Sequence, residues 1–389
     1  MFKQQLKSLG QIKLEQDCTC PTLVPTQKGL MEKYGLKVVR KDNVNFWSLP
    51  EEKEPLFIGM EVECSMLYKR EVIIHPTLKN SIKEFFLRNF PLRKTITYHE
   101  ETEVANSSYY GKSATVSKEA FAVGNTETYM KLLAIVANNM LFPTGLVRAY
   151  IDEFDCIELN FAPISKGAFM RLSNTIGDIV NLMYLFGARY NTTYTGGIHV
   201  NVDIEFFGKK MDDMFMKNVE KYYRFLYEND SFYTALTGRC NGGPTDRYNF
   251  SAAIGDESLN EIPMVRDSLF KGMLEGLITT LKNVAAGKSP AESTRYDALH
   301  KNNVRFFPDG RKTAEIRHFY SGDIDYIFGL YELHYLLHQI LKDGADLTLE
   351  SIALYISEKE ALSLRYILLN RKEIKQFLPI EIVNFLNEN

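Results

Sequence analysis

The hexapeptide Gly59-Met60-Glu61-Val62-Glu63-Cys64 sets two carboxylates two residues apart in an otherwise apolar run. Successive side chains of a β-strand point to opposite faces. As a strand, this segment presents Glu61 and Glu63 on one face and Met60, Val62 and Cys64 on the other. Three later segments repeat the pattern. In the segment 156–161, Glu158 and Asn160 oppose Ile157, Leu159 and Phe161. In 197–203, His199, Asn201 and Asp203 oppose Ile198, Val200 and Val202. In 313–319, alternation groups Glu315, Arg317 and Phe319 on one face.

Taken singly, each strand reads as part of a sheet with one solvated face. A solvated face mixes Lys, Thr, Ser and Arg, however, and no lysine stands on any of these four. Their polar positions are oxygen ligands, one imidazole and one guanidinium. Carboxylates at i and i+2 repel unless a cation lies between them, and a cluster of Glu61, Glu63, Glu158 and Glu315 is costly without one. Carboxylates with a single histidine suit Mg²⁺ or Mn²⁺ better than structural zinc. Arg317 beside such a cluster suits a phosphate oxygen.

Around these strands the chain alternates with helical periodicity at 78–90, 126–140, 169–186, 212–236, 265–286 and 324–341. Asp323 is a candidate N-cap of the last of these, and Asp343-Gly344 ends it. Strands are expected at 56–68, 155–161, 197–204, 304–307 and 313–319. Such irregular alternation predicts an α+β enzyme with a mainly antiparallel sheet and helices on its back. Residues 1–50 show no sustained periodicity and read as an irregular N-terminal extension. The main domain runs from 51 to 345, and 346–389 reads as a C-terminal helical cap.

Gly59–Glu63 (GMEVE), Thr195–Asp203 (TGGIHVNVD) and Thr313–Ile324 (TAEIRHFYSGDI) follow one another in a fixed order. This trio resembles the motifs of the carboxylate–amine ligases of the glutamine synthetase and glutamate–cysteine ligase superfamily. It is most similar to the amidoligase branch, which includes phage-encoded relatives. Arg295-Tyr296-Asp297-Ala298-Leu299 resembles the Arg-Tyr segment before the last amidoligase motif. The resemblance spans residues 59–323 and implies a concave antiparallel sheet whose polar side chains point into a funnel. It implies that Glu63 and Glu158 hold the metal nearer the acceptor carboxylate. Glu61, His199 and Glu315 would hold the metal nearer the ATP phosphates, and Arg317 would contact the γ-phosphate. Asn201 stands where these enzymes often carry a second histidine, and it is expected to contact nucleotide or substrate.

The residue types fit the chemistry independently. Phosphorylating a carboxylate with ATP brings two anions together, which metal and arginine must neutralise. An amine then attacks the acyl phosphate, and no covalent nucleophile is needed. Gly-x-Ser-x-Gly, Walker A and Gly-x-Gly-x-x-Gly motifs are all absent. Arg305 is a second candidate clamp if strand register turns it toward the site, and Arg295 is another, favoured by the resemblance. Arg247 reads as a surface residue. His334 and His338, at i and i+4 in a Tyr- and Leu-rich segment, read as packing histidines.

A net charge of -3 argues against a dedicated nucleic-acid binder. No run is apolar enough to span a membrane, and the start does not read as a signal peptide. Five scattered cysteines suggest free thiols in a reducing compartment, hence the cytoplasm, that of the host if phage-encoded. The expected partners are a small-molecule or peptide carboxylate and an amine. Oligomeric state, homo-oligomer included, is left open. Two other functions compete with the ligase: a catalytically inactive protein of the same fold, and a metal-dependent phosphotransferase.

Overall fold

The structure, a computed structural model, describes residues 26–41, 44–66, 95–100, 112–117, 145–152, 156–185, 188–189, 197–237, 263–287, 304–306, 313–320 and 322–388. In chain order, the first elements are α1 (Gln27–Tyr34), β1 (Lys37–Lys41), β2 (Val44–Ser48), β3 (Ile58–Met66), β4 (Thr95–Glu100) and β5 (Lys112–Ser117). Then come β6 (Val147–Asp152), β7 (Cys156–Ile164), α2 (Lys166–Leu185), β8 (Ala188–Arg189), β9 (Gly197–Asp203), α3 (Asp213–Glu228), α4 (Asp230–Leu236) and α5 (Pro263–Ala285). The last are β10 (Val304–Phe306), β11 (Thr313–Tyr320), α6 (Ile324–Lys342), α7 (Leu349–Glu358), α8 (Leu362–Asn370), α9 (Lys372–Lys375) and α10 (Ile380–Glu388). The expected helices at 78–90 and 126–140 lie outside the described residues.

The protein is α+β, with an open, mixed sheet in the order β1-β2-β7-β3-β9-β11-β10; β6 also pairs with β7, and β8 with β3. Every pairing with a described register is antiparallel. The chain divides into two compact units, and β3 passes from one to the other between Met60 and Glu61. No helix among the described residues is long and apolar enough to cross a membrane.

The first unit holds regular structure where the sequence suggested none. Thr26 Oγ1 accepts from Gly29 N at 3.2 Å, and Gly35, at φ 61°, closes α1 with the left-handed turn that glycine adopts without strain. Strands β1 and β2 form a hairpin from Lys37↔Ser48 to Lys41↔Val44. Trp47, fully buried, anchors it. The period-2 signal was weak because β1 (KVVRK) is almost wholly exposed and its two valines are adjacent rather than alternating.

In the second unit the centre is α6, twelve of whose nineteen residues are buried, leaving one stripe through Asp325, Phe328, Glu332 and Gln339. That is the signature of a helix enclosed by neighbours rather than one floating on a surface. Asp323 caps it as expected, Oδ1 accepting from Tyr326 N at 3.0 Å. Two tyrosines stitch it to other elements: Tyr335 donates to Ile164 O at 2.5 Å and Tyr326 to Leu236 O at 2.6 Å. The single helix expected over 212–236 is two. Asn229 breaks it, with φ -114° and ψ 33° and its side chain donating to Phe225 O, the local hydrogen bonding that makes Asn a helix terminator.

Candidate metal centre

Strand β9 carries out the expected alternation. Ile198, Val200 and Val202 are fully buried, while His199, Asn201 and Asp203 are half-buried on the other face. The register Ala314↔Val202, Glu315↔Asn201 and Ile316↔Val200 extends both faces to β11. Ala314 and Ile316 thus join the core, and Glu315, only 4% exposed, joins the polar side.

Asp203 N donates to Phe57 O at 3.2 Å, so the end of β9 meets the start of β3. Four residues further along β3 is Glu61, and four residues back along β9 is His199. The three ligand-type residues meet accordingly. One ligand atom from each of Glu61, His199 and Glu315 lies within 4.8 Å of the others. His199 Nδ1 is 3.3 Å from Glu315 Oε1, and both side chains are nearly buried. Two ligands of one ion stand at most about twice the metal–ligand distance apart, about 4 Å for Mg²⁺ and about 5 Å for a larger ion, so a spread of up to 4.8 Å is within a small side-chain adjustment of that limit. The group therefore has the reach to share one cation.

The other expected ligands are placed differently. Glu63 shares Glu61's face, since Met60 and Val62 are buried on the opposite side, but it is not part of the close group. Glu158 is buried at 7% on β7, the neighbour of β3, and it too stands outside the group. Asp203, on the polar face of β9, accepts from Glu205 N at 3.1 Å, so it terminates the strand rather than joining the group.

Register settles the position of Arg305. It pairs directly with Glu315, which pairs with Asn201, so the row Asn201–Glu315–Arg305 crosses three strands. Directly opposed residues share a sheet face. Arg317 lies in β11 where the register shifts between Ile316 and Phe319. That irregularity corrects the grouping of Glu315 with Phe319. Phe319 pairs with Ile198, is fully buried, and packs edge-on to His334 with ring centroids 5.5 Å apart. An extra residue in the strand moves Phe319 to the core face. Arg295 and Arg247 lie outside the described residues.

His334 and His338 are packing residues. His334 is fully buried, its Nδ1 2.7 Å from Leu330 O, and burial pushes its pKa down to about 4. His338 Nδ1 is 3.1 Å from Phe206 O, and burial lowers its pKa too.

Strand β6 was missed. Its segment Val147–Asp152 alternates Val147, Ala149 and Ile151 with Arg148, Tyr150 and Asp152, a period-2 signal short enough to overlook. It places Arg148 opposite Asn160 and Tyr150 opposite Glu158.

No protein-family model matches the chain. No curated protein matches it either.

Proposed function

We propose that the protein is an ATP- and Mg²⁺- or Mn²⁺-dependent carboxylate–amine ligase, forming an amide or isopeptide-like bond through an acyl phosphate. The observation that carries this reading is the convergence of Glu61, His199 and Glu315. Two carboxylates and one imidazole are a fitting donor set for either ion. Two carboxylates set this close repel each other, and a bound cation relieves that repulsion.

In this reading Glu61, His199 and Glu315 hold a divalent cation, which neutralises phosphate oxygens when bound. Glu63 and Glu158, on the neighbouring strands, hold a second one nearer the acceptor carboxylate. Arg305, across from Glu315, supplies a fixed positive charge beside the phosphates, and Arg317 and Arg295 are further arginines for the transferring group. Asn201, on the same row, positions nucleotide or substrate. Charge placed before reaction costs no reorganisation as the phosphoryl group moves. The wider fold is read as the concave glutamine synthetase-like sheet with helices on its outer face, and the compartment as the cytoplasm.

The test is ADP release with Mg²⁺ across a panel of carboxylates and amines. Amine-dependent ADP release with an amide product supports the ligase. Phosphate transfer without any amine assigns a phosphotransferase, and no turnover with any pair leaves a binding protein.

A further inference from the structure

Helix α8 is apolar on two opposite faces, and the chain covers one of them. Six of its nine residues are apolar: Leu362, Leu364, Tyr366, Ile367, Leu368 and Leu369. Leu364, Ile367 and Leu368 are buried, and α8 packs on α6. Leu362 and Tyr366 stand four residues apart on the other side, 66% and 53% exposed, and half-buried Leu369 continues their row. A surface helix ordinarily turns charged and polar residues outward, and a helix apolar all round is one that neighbours enclose. Arg365 and Asn370 flank the row, and Tyr and Arg are residue types that interfaces favour.

Apolar exposure is concentrated around this helix. Among the described residues, five of the eight large apolar side chains that stand exposed lie between 354 and 380, all in the second unit. Helices α7, α9 and α10 pack against α8, and Leu354, Phe377 and Ile380 are exposed on or beside them. Single exposed leucines need no explanation, but a cluster of this kind marks an interaction surface.

The charges at the two ends of α8 select the occupant. Before the helix stand Glu358, Lys359 and Glu360, with one net negative charge; after it stand Lys372, Glu373 and Lys375, with one net positive charge. Five of these are exposed and Lys375 is half-buried, and none is in an ion pair among the described residues. Arg371, between them, is held by Asp323 at 2.8 Å. A surface acidic at one end and basic at the other is complementary to itself turned end for end. A two-fold axis makes that turn, sets the patch against its own copy and closes the assembly at two. We propose that α8 is the centre of a homodimer interface, where Leu362, Tyr366 and Leu369 pack on the same row of a second, antiparallel copy of this chain. An unlike partner needs no such symmetry of charge. The nine-residue helix is only about 13 Å long, so the contact belongs at the small end of interfaces, with a Kd on the order of 10–100 µM. The inference is independent of the ligase reading.

The test is sedimentation equilibrium of the full chain, from micromolar to several hundred micromolar, at low and high salt. A reversible monomer–dimer equilibrium is expected, weaker at high salt. Tyr366→Glu and Leu362→Lys, both at exposed positions, should each weaken it at least about tenfold, the scale of losing a central anchor, with no fall in melting temperature. Reversing one end (Glu358→Lys with Glu360→Lys) or the other (Lys372→Glu with Lys375→Glu) should weaken it several-fold. Reversing both ends in one chain should restore it at least to wild-type strength, because acid again faces base. A chain that stays monomeric at the highest concentration overturns the proposal and leaves the row to an unlike partner. A dimer untouched by Tyr366→Glu and Leu362→Lys has its interface elsewhere, which overturns it as well. Failure of the four-site reversal to restore association overturns the antiparallel arrangement. Mn²⁺ binding should be the same in all these variants, which keeps this outcome separate from the metal reading.

Discussion

His199 and His334 lie on the two sides of β11 and meet opposite surroundings. His199 Nδ1 is 3.3 Å from the Glu315 carboxylate on one face. His334 is fully buried on the other, against the rings of Phe319 and Phe206. Imidazole is equally able to bind protons or metal in both places; the surroundings decide. The Glu315 carboxylate beside His199 makes a donor pair for a metal cation. Apolar rings and a single backbone carbonyl hold His334 neutral, so its role is to fill space and tie Leu330 O. An imidazole's position relative to carboxylate therefore separates ligand from packing better than its presence in a motif.

That comparison breaks most visibly at Glu315. Glu315→Gln keeps the shape but removes the charge shared with His199. Turnover is expected to fall roughly 100- to 1000-fold, the scale of one lost electrostatic contact, with the fold retained by circular dichroism. Turnover at the wild-type rate would reduce the pair to a structural ion pair.

His334 sharpens the other side. Its pKa is about 4 in the folded state against 6.5 ordinarily, so the unfolded chain takes up the proton first. The stability that neutral His334 allows is fully present above pH 6.5 and is lost as pH falls toward 4. At about 1.4 kcal/mol per pH unit the loss approaches ~3 kcal/mol. His334→Leu should flatten this acid slope in urea melts taken at successive pH values. An unchanged slope would place the acid sensitivity elsewhere.

Glu332, on the same helix, runs the opposite way. Burial raises its pKa to about 6, although Leu364 N donates to it at 2.7 Å at the start of α8. A carboxyl raised in the folded state favours folding when protonated. Its contribution is therefore present below pH 4.5 and lost as pH rises through 6, about 2 kcal/mol in all. Glu332→Gln keeps an acceptor for Leu364 and should steepen acid destabilisation, because it removes the carboxyl whose protonation offsets that of His334.

The smallest effect is expected where α6 meets α8. A Cβ at Gly329 would stand 2.7 Å from Ile367 Cδ1, the mobile end of a side chain. Gly329→Ala should cost about 1 kcal/mol, strain from overpacking outweighing the gain in helix propensity. A more stable variant would show that Ile367 yields freely.

Much of the polar face was legible in the sequence because it rests on period-2 alternation, which is local. The burial of Met60, Val62, Ile198, Val200 and Val202 follows directly from it. The misplacement of Phe319 was not legible, since a bulge depends on the partner strand. The facing of Arg305 needed the pairing Arg305↔Glu315, which loop length alone does not fix. The break at Asn229 left the periodicity of the helix intact on either side and so was hidden. Strand β1, four of whose five residues are exposed and whose two valines are adjacent, carried no alternating apolar pattern to read.

The central claim is that Glu61, His199 and Glu315 together hold a divalent cation. Titration of the full chain with Mn²⁺, free ion being counted by electron paramagnetic resonance, tests it directly. Saturable binding is expected in the wild type, with the site nearest the group weakened at least tenfold in both His199→Leu and Glu315→Gln. Binding of equal affinity and stoichiometry in all three proteins, or none in the wild type at millimolar Mn²⁺, would contradict it.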